Sequence, residues 1–230
     1  MTRLGVLVVL AVALAVGCGR APSPDVGSPS PSTVAATPAG SDATLAPSPS
    51  GGLMELAHSP DPLVPGRYTR TGFSPAITFE VDGPWHAVQL YTGFFDVQQD
   101  VDTPDVIAVQ FAKPTALYGA DGAAVELADP SLAAGILGAN PGLTVLETSA
   151  SRIGGLDGFQ VTVENAGSSN AQVMRVPAGP LSILEGRRLW IALFDTPDAI
   201  LAIMIGGSVA TWDAALATAE PVLESIEIGT

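Results

Sequence analysis

The chain has 230 residues, carries 23 acidic against 9 basic side chains, and contains a single cysteine. Its formal net charge of −14 makes nucleic acid a poor partner, because a phosphate-binding surface needs clustered cations. One cysteine leaves no intramolecular disulfide, so the stability of the fold has to come from the burial of apolar side chains.

Residues 1–17 are typical of a secretory signal peptide. Arg3 supplies a positive charge, and the apolar run from Leu4 to Val16 is shorter than the ~20 residues that a membrane-spanning helix needs. The tetrapeptide Ala15-Val16-Gly17-Cys18 then resembles the bacterial lipobox. That resemblance implies cleavage before Cys18, a diacylglyceryl thioether on its sulfur and a further acyl chain on its amino group. An ordinary secretory signal with an incidental cysteine is the alternative.

The segment after the lipobox is low in apolar side chains. Residues 19–52 consist mainly of Pro, Ser, Ala, Gly and Thr, and hardly any apolar side chain is larger than Ala. Such a segment buries too little surface to offset its conformational entropy. Residues 18–52 are therefore predicted to be a lipidated cysteine with a disordered tether, spanning roughly 30 Å. Residues 53–230 are predicted to form one globular domain.

The stretch from Pro75 to Asp105 predicts an antiparallel meander. Ile77, Phe79 and Val81 alternate with more polar neighbours, which indicates a strand with one buried face, and residues 82–84 have the composition of a turn. Two further strands of the meander follow at 85–91 and 93–97. The remaining predicted strands lie at 67–69, 106–112, 115–117, 123–127, 143–148, 159–164, 171–176, 181–184, 188–194, 199–205 and 225–228.

Two helices are predicted among these strands. Asp129-Pro130 is a helix start, because Asp caps free N–H groups and Pro is tolerated at the first helical position. The second helix begins near Thr211, and Pro221 either kinks it or ends it. Strands outnumber helices, which favours an α+β fold with a mostly antiparallel sheet and helices on one face. The expected core includes Phe79, Trp85, Phe111, Trp190 and Trp212.

Four short features resemble the PsbP-like α/β/α sandwich of bacterial lipoproteins, including the LpqN type. They are a strand that runs into Pro84-Trp85, a phenylalanine-rich strand, the turn Gly154-Gly155-Leu156-Asp157-Gly158, and a last helix closing on Leu223-Glu224-Ser225-Ile226. Relatives usually have Gly where Pro84 stands. The resemblance covers residues 66–228 and implies a binding or scaffolding domain. It transfers no functional residue beyond Cys18.

The catalytic inventory is small. The chain has only two histidines, His58 and His86, and it contains no nucleophile elbow, phosphate loop, dinucleotide fingerprint or paired-histidine motif. We therefore expect no enzymatic activity and no cofactor. One alternative is a hydrolase that uses His86 with a nearby carboxylate such as Asp96.

Four carboxylates follow the phenylalanine pair: Asp96, Asp100, Asp102 and Asp105. Carboxylates on a loop suit Ca²⁺, which takes six to eight oxygen ligands. However, Pro104 occupies the third ligand position of an EF-hand loop, and Asp is also a common turn residue. We assign no metal site and keep this cluster as an alternative.

Three weaker patterns each have two interpretations. Phe94-Phe95 with Trp85 and Tyr91 either line an apolar pocket or belong to the core. Gly154-Gly155 suits an anion-binding nest or a tight turn. Arg187-Arg188 has the composition of a solvated hairpin corner.

Together these features predict an anchored, non-catalytic binding or accessory module at the extracytoplasmic face of a bacterial cell membrane. Its contacts would be the membrane, through the lipid on Cys18, and an envelope protein or small molecule of unknown identity. Besides the hydrolase, a structural spacer without a ligand remains an alternative.

Overall fold

The computed structural model describes residues 52–229. The predicted signal peptide, Cys18 and nearly all of the predicted tether lie outside the described residues. Within residues 52–229, no helix combines the length and the apolar character that a membrane crossing needs.

The described chain contains fifteen strands and two α-helices. The strands are β1 (Met54–Glu55), β2 (Gly66–Thr69), β3 (Ile77–Val81), β4 (His86–Tyr91), β5 (Phe94–Gln99), β6 (Ile107–Ala112), β7 (Ala116–Tyr118), β8 (Ala124–Val125), β9 (Leu143–Ile153), β10 (Leu156–Asn165), β11 (Ala171–Val176), β12 (Gly179–Ile183), β13 (Arg187–Asp195), β14 (Ile200–Ser208) and β15 (Glu227–Ile228). The helices are α1 (Ala133–Gly138) and α2 (Trp212–Glu224).

These elements form three layers. The middle layer is a seven-stranded sheet with the order β4-β5-β6-β14-β13-β10-β9. One of its faces is covered by α2 and the sheet β1-β2-β3-β15, and the other by α1 and the sheet β12-β11-β7-β8. Among the strands described, only β1 and β2 pair in parallel, so the predicted α+β class with mostly antiparallel sheets is confirmed.

Because both faces of the middle sheet are covered, its central strands are apolar on both sides. In β14, Leu201 and Ile203 point into one core, whereas Ala202 and Met204 point into the other. Successive side chains of a strand leave opposite faces, so this continuous apolar run fills two separate cores.

The core next to α2 is built around stacked aromatic rings. The ring centroids of Phe79 and Phe111 are 5.3 Å apart, and those of Phe95 and Phe111 are 4.5 Å apart. The predicted burial of Phe79, Phe111, Trp85 and Trp212 is confirmed. Trp190 is only partly buried and packs at the edge of this core.

The predicted meander is wrong at its first strand. β3 belongs to the outer sheet, whereas β4 and β5 belong to the middle sheet. Residues 82–84 therefore carry the chain between two layers instead of closing a hairpin. The crossing is fixed by the buried Trp85, whose carbonyl accepts a hydrogen bond from the N–H of Leu63 at 2.6 Å. The continuous meander is β4-β5-β6.

Both predicted helices are present, but they cover opposite faces of the middle sheet instead of one. The Asp129 side chain accepts a hydrogen bond from the N–H of Ser131 at 2.8 Å and caps the 3₁₀ turn that leads into α1. Pro221 lies inside α2, so it does not separate the helix from a following segment. This arrangement agrees with the α/β/α order that the resemblance implied.

Candidate functional site

A cavity of about 440 Å³ lies between the middle sheet and the hairpin β11-β12. Strands β5, β6, β13 and β14 form its floor, and the hairpin forms the opposite wall. Most of the wall is apolar, and the side chains that give it this character are Phe94, Val173, Met174, Ile183, Leu189 and Met204. A concave, mainly apolar space of this size is typical of a small-molecule site.

Three glutamines belong to the polar part of the lining, together with Ser182 and Arg187: Gln89, Gln98 and Gln110. Gln98 follows Asp96 by two positions on β5, and Gln110 is the direct partner of Asp96 across the β5-β6 pairing. The side chains of Asp96, Gln98 and Gln110 therefore leave the same face of the sheet. Asp96 itself has no exposed surface and lies beneath the glutamines.

A β-bulge in β4 brings hydrogen-bond donors to the Asp96 carboxylate. The pairing of β4 with β5 shifts between Ala87 and Leu90, so that Val88 and Gln89 both stand opposite Asp96. The backbone N–H of Gln89 donates to Oδ1 at 2.8 Å, and the Nε2 of Gln98 donates to Oδ2 at 2.6 Å. Both carboxylate oxygens thus have partners.

Burial raises the pKa of the Asp96 carboxyl above its usual range. The hydrogen bonds from Gln98, Gln89, Gln110 and Val88 act in the opposite direction and only partly compensate. A buried carboxyl next to a cavity, with its pKa shifted by desolvation, is the kind of group that concentrates at functional sites.

Arg187 closes one end of the cavity, whereas the side chain of its neighbour Arg188 lies on the opposite face of the sheet, over the ring of Trp212. Arg187 donates hydrogen bonds to the carbonyls of Pro104, at 2.8 Å, and Val106. Desolvation lowers the pKa of Arg187, and the charge of Asp105 opposes that shift. Arg188 pairs with Glu164 at 2.7 Å. Both arginines are partly buried, so the prediction of a solvated corner is wrong.

The four carboxylates that were kept as an alternative calcium site do not converge. Asp96 is buried in β5, whereas Asp100, Asp102 and Asp105 are exposed on the loop that follows this strand. Within residues 52–229, no three His, Cys, Asp or Glu side chains gather in a way that would hold a metal ion. The oxygens of Asp96 instead accept hydrogen bonds from amide groups.

The histidines also lie apart from any carboxylate partner. His86 is on β4, opposite Gln98, and His58 is exposed ahead of β2. In the described part of the chain, neither imidazole forms a hydrogen bond or an ion pair with an acid. The pair of His86 and Asp96 that a hydrolase would use is not assembled.

Of the two interpretations of these four aromatic residues, the core is confirmed for Trp85 and Phe95, and a pocket shared by all four is wrong. Phe94 lines the cavity, but the adjacent Phe95 points into the opposite core because neighbouring side chains of a strand leave opposite faces. Trp85 is buried in that same core, and Tyr91 is 57% exposed.

The Gly154-Gly155 pair forms the tight turn between β9 and β10. Its φ angles are +57° and +85°, a conformation that glycine adopts most readily. Of the two interpretations of this pair, the turn is confirmed.

The glutamines at the cavity were not predicted from the sequence. Their signal is present, because Phe94, Asp96 and Gln98 alternate with Phe95 and Val97, and Gln110 interrupts an apolar strand. Polar residues at every second position normally indicate a solvated face. Here that face is covered by the β11-β12 hairpin, which only the tertiary structure reveals.

No family model matches the chain, and neither does any curated protein. Several solved structures are similar to it. Cyanobacterial PsbP (CyanoP) from Synechocystis sp. PCC 6803 is 11% identical over 71% of this chain and 91% of that chain, with a TM-score of 0.42. LpqN, involved in cell envelope biogenesis of Mycobacterium tuberculosis, is 12% identical over 72% and 91%, with a TM-score of 0.41. The Ran-binding protein Mog1p of Saccharomyces cerevisiae is 10% identical over 72% and 96%, with a TM-score of 0.39.

Proposed function

We propose that this chain is a lipid-anchored, non-catalytic binding module at the extracytoplasmic face of a bacterial membrane, and that its domain holds a small molecule in the cavity. The observation that carries the proposal is the cavity itself. About 440 Å³ of half-open space is lined mainly by apolar side chains, with three glutamines among the polar ones. Ligand sites combine these two properties, since apolar walls supply affinity and a few polar groups fix orientation.

The non-catalytic part of the proposal is supported by the placement of the titratable groups. A general base has to lie within hydrogen-bond reach of the group it deprotonates. Asp96 is covered by amide donors, and His86 has no acidic partner among the described residues. The lining offers groups that hold a molecule rather than groups that transform one.

The anchor and the tether give the binding site its place in the cell. Acyl chains on Cys18 would hold the protein on the bilayer, and residues 19–52 would give the domain reach around that point. Tethering raises the local concentration of the site near other envelope components, so that even a weak affinity leads to occupancy.

The test uses the mature chain from residue 18 with Cys18→Ser, which needs no detergent. It is titrated with the neutral fluorophore N-phenyl-1-naphthylamine. We expect saturable binding with increased fluorescence, because the probe leaves water for an apolar cavity. Ala108→Phe, which adds a ring at a residue lining the cavity, should weaken binding about tenfold or more.

The matched control is Ala150→Phe, since Ala150 is exposed on β9 at a distance in the sheet order from the cavity-lining strands. This variant should bind the probe as the parent does. Absence of saturable binding by the parent, or equal affinity of the parent and Ala108→Phe, would contradict the proposal.

A further inference from the structure

The orientation of the cavity glutamines follows from the carboxylate beneath them. An ionised carboxylate only accepts hydrogen bonds. The amide of Gln98 therefore turns its NH₂ group towards Asp96, where Nε2 donates to Oδ2 at 2.6 Å. An amide that directs its nitrogen one way directs its oxygen the other way, so Asp96 decides which atom of Gln98 is offered to the cavity.

We infer that Asp96 is a positioning residue that sets the ligand class of the cavity. By holding the NH₂ group of Gln98, it presents the carbonyl oxygen of that side chain to the bound molecule. The cavity thus takes a neutral, mainly apolar molecule that carries a hydrogen-bond donor, and it disfavours one whose only polar atom is an acceptor. This inference rests on the proposed function.

The charged groups at the cavity agree with a neutral ligand. The guanidinium of Arg187 donates to the carbonyls of Pro104 and Val106. That of Arg188 lies on the opposite face of the sheet, where it pairs with Glu164 and stacks over Trp212. In the described part of the chain, the one cation whose side chain faces the cavity is thus already engaged with protein acceptors. An anionic ligand would have to displace these contacts, whereas a neutral donor would not.

The selectivity has a physical basis in the carbonyl oxygens. In the described residues, no protein donor is hydrogen-bonded to the Oε1 of Gln98 or of Gln110. A ligand donor would satisfy such an oxygen, whereas an acceptor-only ligand would remove it from water without a partner. The cost of an unsatisfied buried acceptor exceeds the net gain from an ordinary hydrogen bond, so discrimination follows.

The test compares 4-ethylphenol, whose hydroxyl donates, with 4-ethylanisole, whose ether oxygen only accepts. Both dissociation constants are measured by NMR from the methyl signals of Met174 and Met204 in the mature chain with Cys18→Ser. The quantity of interest is the ratio of the two constants, compared between the parent and its variants. This comparison cancels the difference in water solubility between the probes.

In the parent, 4-ethylphenol should bind more tightly than 4-ethylanisole. In Asp96→Asn the amide that the carboxylate held is free to turn, so the ratio of the two dissociation constants should change by about fivefold in favour of 4-ethylanisole. The control Asp157→Asn removes a carboxylate whose side chain is 82% exposed on β10, and it should leave the ratio unchanged. Gln98→Met removes one carbonyl at nearly constant length and should move the ratio in the same direction as Asp96→Asn.

The outcomes separate the two proposals. If both probes bind but their ratio is the same in the parent, Asp96→Asn and Gln98→Met, the positioning role is overturned and the cavity remains a binding site. If neither probe binds the parent, the proposed function and the inference fail together. Should Asp96→Asn not fold, as judged from its NMR spectrum, the result for Gln98→Met decides the inference.

Discussion

Burying the carboxyl of Asp96 lowers the stability of the fold. A carboxyl without any exposed surface loses its hydration, and the raised pKa of Asp96 shows that its hydrogen bonds only partly compensate for that loss. An apolar side chain at this position of β5 would pack without such a cost. The positioning role inferred above would give a reason for an acid here, since its carboxylate holds the amide of Gln98 at the neighbouring cavity.

The raised pKa leads to a prediction for stability. Between its usual pKa near 3.8 and the higher value in the folded protein, Asp96 is more protonated in the folded than in the unfolded state. The stability therefore falls as the pH rises through that interval, and it then stays lower. Asp96→Asn removes this contribution, so the variant should gain stability relative to the parent as the pH rises from 4 to 7.

The measurement is the free energy of unfolding in urea for both proteins at pH 4 and pH 7. Other titrating groups largely cancel in the difference between variant and parent. Asp157→Asn controls for the removal of one negative charge. If the parent instead gains stability relative to Asp96→Asn as the pH rises, the hydrogen bonds to Asp96 outweigh its desolvation.

At the level of elements, the hairpin β9-β10 provides a matched pair of glycines. Both have positive φ angles, but a Cβ on Gly154 would lie 2.7 Å from Cγ1 of Ile228, whereas a Cβ on Gly155 would meet nothing within 4 Å. Gly155→Ala should therefore cost only the backbone strain of a positive φ, about 1 kcal/mol. Gly154→Ala should cost about 1–3 kcal/mol more, because Ile228 on β15 has to move.

Thermal and urea unfolding of the two variants would measure these costs. The comparison isolates the contact, since the two substitutions are chemically identical and adjacent. Equal losses of stability would mean that β15 does not pack against the turn as described.

The strands also show which features of the fold can be predicted from the sequence. Alternation and turn residues predicted the strands β3 to β6 close to their observed bounds, because a strand with one buried face has a local signature. The sheet to which each strand belongs has no such signature. Ile77, Phe79 and Val81 would alternate in the same way in either layer, so the sequence predicts a hairpin at residues 82–84, where the chain instead crosses between layers.

The same reasoning explains what was found of the site. The sequence points to Asp96 as one acid in an acidic stretch, but the groups that donate to it are the backbone N–H of Gln89 on β4 and the side-chain amide of Gln98 on β5 itself. The first of these contacts depends on the bulge opposite Asp96. Because register and bulges arise from tertiary packing, the sequence alone neither excludes the alternative carboxylate cluster nor predicts the glutamines at the cavity.

At the level of the whole molecule, the middle sheet separates two cores that differ in how completely they are packed. The core beside α2 is filled by stacked aromatic rings, including Phe79, Phe95 and Phe111. The core on the opposite face leaves the cavity beneath the hairpin β11-β12. The middle sheet is thus fully packed on one side and borders an open space on the other.

The last prediction concerns the attachment of this domain to a membrane. The lipobox resemblance at residues 15–18 implies that the mature protein carries several acyl chains on Cys18. One acyl chain gives only reversible binding to a bilayer, whereas two or more hold a protein firmly. In a bacterial host that lipidates such proteins, the parent should therefore enter the detergent phase of a phase-separation experiment, and Cys18→Ser should remain in the aqueous phase.

A matched control for this experiment is Ser23→Ala, which alters the tether and leaves the cysteine in place. It should partition with the parent, because the lipid rather than the tether determines the phase. If the parent and Cys18→Ser partition alike, the protein has no lipid anchor, and the domain would act as a freely diffusing binding module. The cavity experiments are carried out on Cys18→Ser, so their outcome stands independently of this result.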